Sequence, residues 1–200
     1  MAGPARLEVL SVARLHERRR TMSVLAAPAL LAAAIGLSAM TPARAQVPAS
    51  EAESKARFAI TMARFVQWPA SPAPQPARSL RLCLVHRSPA LASAFSAREG
   101  TLVSGRPLEI VTGVPLDPGG CDLLFMDASA GRAATEALPG FLGRPVLTLG
   151  TIDGFASQGG MVELVNVDDT LRFDVNLRSV RAAHLALSSQ ALKLARRIQD

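Results

Sequence analysis

Four side chains in this sequence could do chemistry: Cys83 and Cys121, which are its only two cysteines, and His86 and Asp127, each of which closes an apolar run. Cys83 stands at the centre of "LRLCLVH", and Cys121 opens "CDLLFMD". In an oxidising compartment such a pair is a candidate disulfide, and in a reducing one it is two packed thiols. The separation, 121 − 83 = 38 residues, is close to the repeat of a β-α-β unit, in which the next parallel strand returns beside the first. A bond closing that loop would stabilise the fold by about 4 kcal/mol on the chain-entropy relation.

His86 and Asp127 occupy matching strand ends, where α/β enzymes carry catalytic groups. A hydrolase built on them would also need a nucleophile, and no G-x-S-x-G motif accompanies them. Solvent-facing strand ends are the simpler reading. The loop "GFASQGGM" could turn backbone N–H groups to an anion, but it lacks the G-x-G-x-x-G and P-loop patterns, and a tight turn before a hairpin accounts for Gly159 and Gly160. Two cysteines and three histidines offer no ligand pair at metal-binding spacing. The sequence therefore asks for no cofactor and no metal.

The N-terminus decides which compartment applies. "ERRRTM" (17–22) leads into "SVLAAPALLAAAIGLSAM" (23–40), an apolar run broken by small residues and followed directly by polar sequence. It ends in "TPARA", whose Ala43 and Ala45 form an A-x-A cleavage site. The expected organisation is a signal peptide over residues 1–45, with Met22 as an alternative start, and one α/β domain over 46–200. Removing the leader changes the charge balance from 22 Lys/Arg against 16 Asp/Glu to 22 − 6 = 16 against 16 − 2 = 14, a net +2. Most of the basic excess leaves with it. No remaining stretch interleaves basic and aromatic residues, and Tyr is absent, so no nucleic-acid partner is expected.

The elements that would position these groups follow from periodicity. Phe58, Met62, Phe65 and Val66 recur at helical spacing and predict a helix over Ala49 to Trp68, ended by Pro69, with Trp68 anchoring it to the sheet. "ASPAPQPARS" reads as a stiff connector. Leu80 to His86 is a strand, followed by a helix with Ser88 as N-cap, Pro89 at its first position and Gly100 as terminator. "RPLEIVTG" is a strand, "VPLDPGG" a turn, "CDLLFMD" a strand, "SAGRAATEALPGF" a short helix capped by Ser129, and "RPVLTLG" a strand. "MVELVNVDDTLRFDVN" alternates on both sides of Asp168-Asp169, as an antiparallel hairpin does. The tail ends in a helix that Ser188 or Ser189 could cap, with Leu187, Ala191, Leu194 and Ile198 on one face. His184 reads as packed or half-exposed. The fold class is α/β: a single-domain layered sandwich with a mixed, mostly parallel sheet flanked by helices and a C-terminal antiparallel hairpin plus helix.

The order of "FAITMARFVQWP", "LRLCLV", "GCDLLFMDAS", "GRPVLTLGTIDGFASQGGMVELV" and "LRFDVNLRSVRAAHLALSSQALKLAR" resembles the YfiR-like family of exported bacterial proteins, from about Glu53 to Arg197. The resemblance implies a periplasmic regulator without catalysis. It implies as partner an inner-membrane diguanylate cyclase, bound through its periplasmic sensor region, and an outer-membrane lipoprotein that withdraws the regulator. It also implies a homodimer carrying disulfides. Cys83 and Cys121 match the family's strand cysteines, while a second cysteine pair of the type member is lacking. Partner contacts are expected on the glycine loop and hairpin, at Phe155, Gln158, Met161, Arg172 and Arg178, because loops and strand edges present surface. The competing reading is a periplasmic small-ligand sensor or solute-binding module acting on another membrane receptor, such as a histidine kinase.

Overall fold

The computed structural model describes residues 50–69, 78–113 and 117–200. Helix α1 (Glu51–Ala63) starts on a reciprocal cap: the Glu53 amide donates to Ser50 Oγ at 3.2 Å, and the Ser50 amide donates to Glu53 Oε2 at 3.0 Å. It ends sooner than periodicity predicts. Beyond Arg64 the chain extends into β1 (Val66–Gln67), which pairs antiparallel with a later segment whose Ser188 amide bonds the Phe65 carbonyl at 2.9 Å. That tertiary pairing supplies hydrogen bonds that a last helical turn would have made internally. Trp68 is half-buried and packs against the main core. Residues 70–77, most of the predicted connector, and 114–116 of the predicted turn lie outside the described residues.

The sheet begins with β2 (Leu80–Val85), followed by α2 (Pro89–Ser96), which has Ser88 as its cap and Pro89 at its start. A short strand missed by the sequence reading, β3 (Leu102–Val103), turns through Ser104-Gly105 into β4 (Arg106–Thr112). Then come β5 (Leu123–Met126), α3 (Arg132–Ala137) and β6 (Leu147–Gly150). The predicted Ser129 cap is corrected here: Asp127 caps a single 3₁₀ turn over Ala128–Ala130, and Gly131 precedes α3.

The hairpin β7 (Val162–Val167) and β8 (Thr170–Asn176) turns on Asp168 and Asp169, both left-handed (φ 48° and 57°) as a two-residue I′ turn requires. The tail forms α4 (Leu177–Ala182) and β9 (Ala186–Leu187) before the expected helix, which runs as α5 (Ser189–Leu194) with Ser188 as its cap and then gives way to β10 (Arg197–Gln199). Ile198, predicted on a helical face, instead lies on an edge strand. β10 pairs with β8, and Arg196 forms a two-pronged bond to Asp174 of that strand, at 2.8 and 2.6 Å. His184 is exposed and left-handed (φ 56°) just beyond α4.

The eight strands run in the order β10-β8-β7-β6-β5-β2-β4-β3, and β4, β2, β5, β6 and β7 are mutually parallel. In chain order those five read 2-1-3-4-5, the doubly wound arrangement. Alternation sorts their side chains onto two faces. Leu80, Leu82, Leu84, Leu123, Phe125, Leu147 and Leu149 join the larger core under α1, α2, α4 and α5. Cys83, Val85, Leu124 and Met126 join a smaller one with α3, Phe141 and Phe155. The thin face is where helical cover is short: the β6-to-β7 crossover carries no helix but the loop 151–161.

Candidate functional site

Cys83, in the middle of β2, and Cys121, just before β5, are joined in a disulfide, with Cα atoms 5.8 Å apart. Two adjacent parallel strands carry it: Cys83 pairs in register with Leu124, and Cys121 enters the same strand three residues earlier. β4 intervenes in the chain, so the loop spans two crossovers rather than the single β-α-β unit inferred from spacing. Both sulfurs are enclosed in the smaller core. Beside them Asp122 is buried and fully engaged: Arg78 Nη2 and Arg106 Nη2 donate to it at 2.7 and 2.8 Å, and the Arg81 amide at 2.9 Å. These two devices pin β2, β4 and β5 together.

The glycine loop is built inward. Phe155 is 1% exposed, and its ring occupies the space that a Cβ on Gly150 or Gly160 would need. Only glycine allows that approach. Glu163, 9% exposed, accepts from the Gly154 and Ala156 amides, both at 2.9 Å. Asn176 Nδ2 donates to the Ala156 carbonyl at 2.7 Å, and the Met161 amide donates to Thr148 Oγ1 at 3.0 Å. The amides that an anion would use are thus consumed by a carboxylate of the same chain. A lone glutamate inside the apolar run "GGMVELV" was the available signal, since a charge in a buried strand must find partners.

Against this loop lies a shallow cavity of about 200 Å³, lined by Phe141, Leu142, Gly143, Thr148, Gly159, Met161, Arg178, Ser179 and Ala182. The five residues expected at a partner surface therefore separate. Met161 and Arg178 both line the cavity, and Gln158 is exposed beside Gly159. Phe155 and Met161 are buried, so their side chains hold the site rather than present surface. Arg172 is exposed but sits on β8 opposite Val165, away from the loop end of that strand. Leu142, 45% exposed, was missed; its setting in "PGFLGRP", an apolar side chain between turn residues, was the clue.

The carboxyl ends of the strands hold His86 and Asp127 in separate structures. His86 Nδ1 bonds the Ser88 carbonyl at 2.9 Å. Asp127 accepts from Lys55 Nζ and Thr151 Oγ1, each at 3.0 Å, and from the Ser129 amide at 3.0 Å. Burial alone would raise the Asp127 carboxyl, but the bonds from Ser129 and Lys55 outweigh it and hold the group below its ordinary value. Burial likewise opposes the charged Lys55, and its bonds to Glu51 and Asp127 hold it above the ordinary lysine value. The Arg87 amide donates to Ser129 Oγ at 3.1 Å, which ties the loop after β2 to the loop after β5. Doubly wound folds commonly bind ligands at that switch point. Here the groups at the crevice are spent on tying α1 and the loops to the sheet.

Residues 52–196 match the sequence profile of the YfiR/HmsC-like family. None of the curated proteins matches the chain. Among solved structures the chain is similar to a conserved domain protein from Vibrio cholerae O1 biovar El Tor, with 10% identity and a TM-score of 0.45. The likeness covers 75% of this chain and 60% of that one.

Proposed function

The chain belongs to the YfiR/HmsC-like family, whose members are periplasmic regulators, and from that premise we propose that it inhibits an inner-membrane diguanylate cyclase through the cyclase's periplasmic sensor region. By doing so it lowers cyclic di-GMP and restrains biofilm formation. It works as an exported homodimer, relieved by an outer-membrane lipoprotein, and it performs no catalysis of its own. Among the described residues no helix is long and apolar enough to cross a membrane, which fits a regulator that meets its target from outside the bilayer.

The observation that carries the reading is the match over 52–196, together with the surface made by Leu142, Gln158 and Arg178. That surface has an exposed aliphatic anchor, an amide and a guanidinium around a shallow depression, and beneath it lie Phe155 and Glu163, which keep it fixed. Fixed surfaces bind with less ordering cost than mobile ones. The test is direct binding of the purified protein to the periplasmic region of a neighbouring cyclase. Wild type binds, and Leu142→Asp with Arg178→Glu loses about tenfold or more, as truncating central contacts does. Equal binding by the variant moves the contact elsewhere.

One observation favours the ligand-sensor reading. A polar cleft of about 520 Å³ opens at the carboxyl edge between Glu51, Lys55, Asp153, Asn166 and Arg196. A small polar ligand that fills it would raise the melting temperature with concentration.

A further inference from the structure

Charge is distributed unevenly along the folded domain. Residues 46–171 carry 10 Lys/Arg against 12 Asp/Glu, a net of −2, and residues 172–200 carry 6 against 2, a net of +4. Among the described residues, the basic segment contains two of the four large apolar side chains that stand exposed, Leu194 at 68% and Ile198 at 45%. Both fall within the six residues from Lys193 to Ile198, with Lys193 and Arg197 exposed beside them. Arg196 is committed to the buried Asp174. Asp200 ion-pairs with Arg181 and takes a bond from Arg178 Nη2 at 3.2 Å, which brings the outer side of α4 next to β10. The result is an edge strand that exposes Arg197 and Ile198 on its two sides, with Lys193 and Leu194 exposed at the end of α5 just before it.

We propose that this edge, formed by α4, α5 and β10, docks the protein on an anionic phospholipid surface. Leu194 and Ile198 enter the boundary between headgroups and acyl chains, and Lys193 and Arg197 face lipid phosphates. Charge complementarity selects that occupant: the edge concentrates positive charge on a domain that is otherwise slightly acidic, and interfacial binding is the setting that uses neighbouring cations and aliphatic groups at one edge together. An acidic protein would explain the cations but not two projecting aliphatic side chains without a receiving groove. A second copy of this chain would bring the same cations against one another, at a repulsive cost. The inference is independent of which membrane protein the regulator acts on. Docking at a lipid surface would restrict its search to two dimensions.

The test is vesicle flotation with protein recovered from an osmotic-shock extract, so that the leader is not carried along. Vesicles of phosphatidylcholine alone are compared with vesicles containing roughly a third phosphatidylglycerol, the anionic component that such edges recognise. Binding is expected only to the anionic vesicles and weakens as salt is raised. Lys193→Glu with Arg197→Glu lowers it by about 25-fold or more, since each cation near a charged surface contributes roughly fivefold. Leu194→Asp with Ile198→Asp lowers it roughly tenfold, while the circular-dichroism spectra of both variants stay native. The proposal is overturned if the wild type does not bind anionic vesicles at low salt, or if either variant binds as well as the wild type. It is also overturned if the Leu194/Ile198 variant turns a dimer into a monomer in sedimentation and the wild type does not float.

Discussion

The two faces of the sheet solve the same packing problem in different ways. On the larger face, alternate leucines of β2, β5 and β6 meet α1 and α2, and Phe95 of α2 packs at a tilt on Phe125 of β5, ring centroids 5.1 Å apart. Ordinary apolar burial is enough there. On the smaller face α3 is short and the β6-to-β7 crossover has no helix. Three devices fill that gap: a disulfide, a phenylalanine lowered onto two glycines, and a buried glutamate holding two amides. A face with too little helical cover is held by specific bonds, and the surface proposed for partner contact lies where that face meets α4. The difference teaches that its cysteines and glycines, which look functional in the sequence, first serve to build it.

Breaking the smaller face at its covalent bond should have the largest effect. Cys83→Ser with Cys121→Ser should lower stability by about 4 kcal/mol, the entropy of a loop of this length, as read from a lower urea midpoint with a steeper slope, because the unlinked denatured chain is less compact. A reductant should bring the wild type toward the variant. If the midpoint does not move, the two faces do not differ in the way described.

Next comes the loop. Glu163→Leu leaves the Gly154 and Ala156 amides without their acceptor and should cost about 3 kcal/mol. Gly160→Ala, whose new Cβ would lie 2.2 Å from the Phe155 ring, should cost a similar amount, about 3 kcal/mol, through displacement of that ring. Hydrogen exchange should show residues 151–161 losing protection in both variants before the larger face does.

The Lys55–Asp127 bond sharpens the comparison, because it ties α1, on the larger face, to a strand end rather than filling a gap. Asp127→Asn should cost about 2 kcal/mol. The carboxyl is held below the ordinary carboxylate value of 3.8, so its contribution is complete above that value and is lost as pH falls through the lower folded one. Lys55 is held above 10.5, so its contribution is present below that value and is lost as pH rises through the higher folded one. The variant should therefore lose less stability than wild type on acidification, which acid titrations of the urea midpoint would record. The smallest effect has the opposite sign. His184 holds a left-handed φ where helices commonly end on glycine, so His184→Gly should raise stability by about 0.5–1 kcal/mol, seen as a small rise in melting temperature.

Much of the fold was legible because local signals and tertiary structure agree. Ser88-Pro89 starts a helix, Asp168-Asp169 makes a hairpin turn, and the continuous apolar runs are buried parallel strands. Legibility failed where long-range pairing overrides periodicity. Val66 and Ile198 satisfy a helical pattern but become strands because β9 and β8 offer partners that no local window contains. Within the site, the cysteine pair was readable from the expected compartment, but its topology was not, because β4 lies inside the 38-residue span that suggested a single β-α-β unit. The inward turn of Phe155 was not, because "GFASQGG" has the composition of an exposed loop. Only the glutamate that follows hints that its amides are occupied.

The central claim is that this domain restrains a cyclase by means of a surface its thin face holds in place, and cellular cyclic di-GMP tests it most directly. The measurement compares the parent strain, a deletion strain, and the deletion complemented with wild type or with Leu142→Asp/Arg178→Glu at equal abundance. The account predicts a rise on deletion that wild type reverses and the variant does not. An unchanged cyclic di-GMP level on deletion would contradict it.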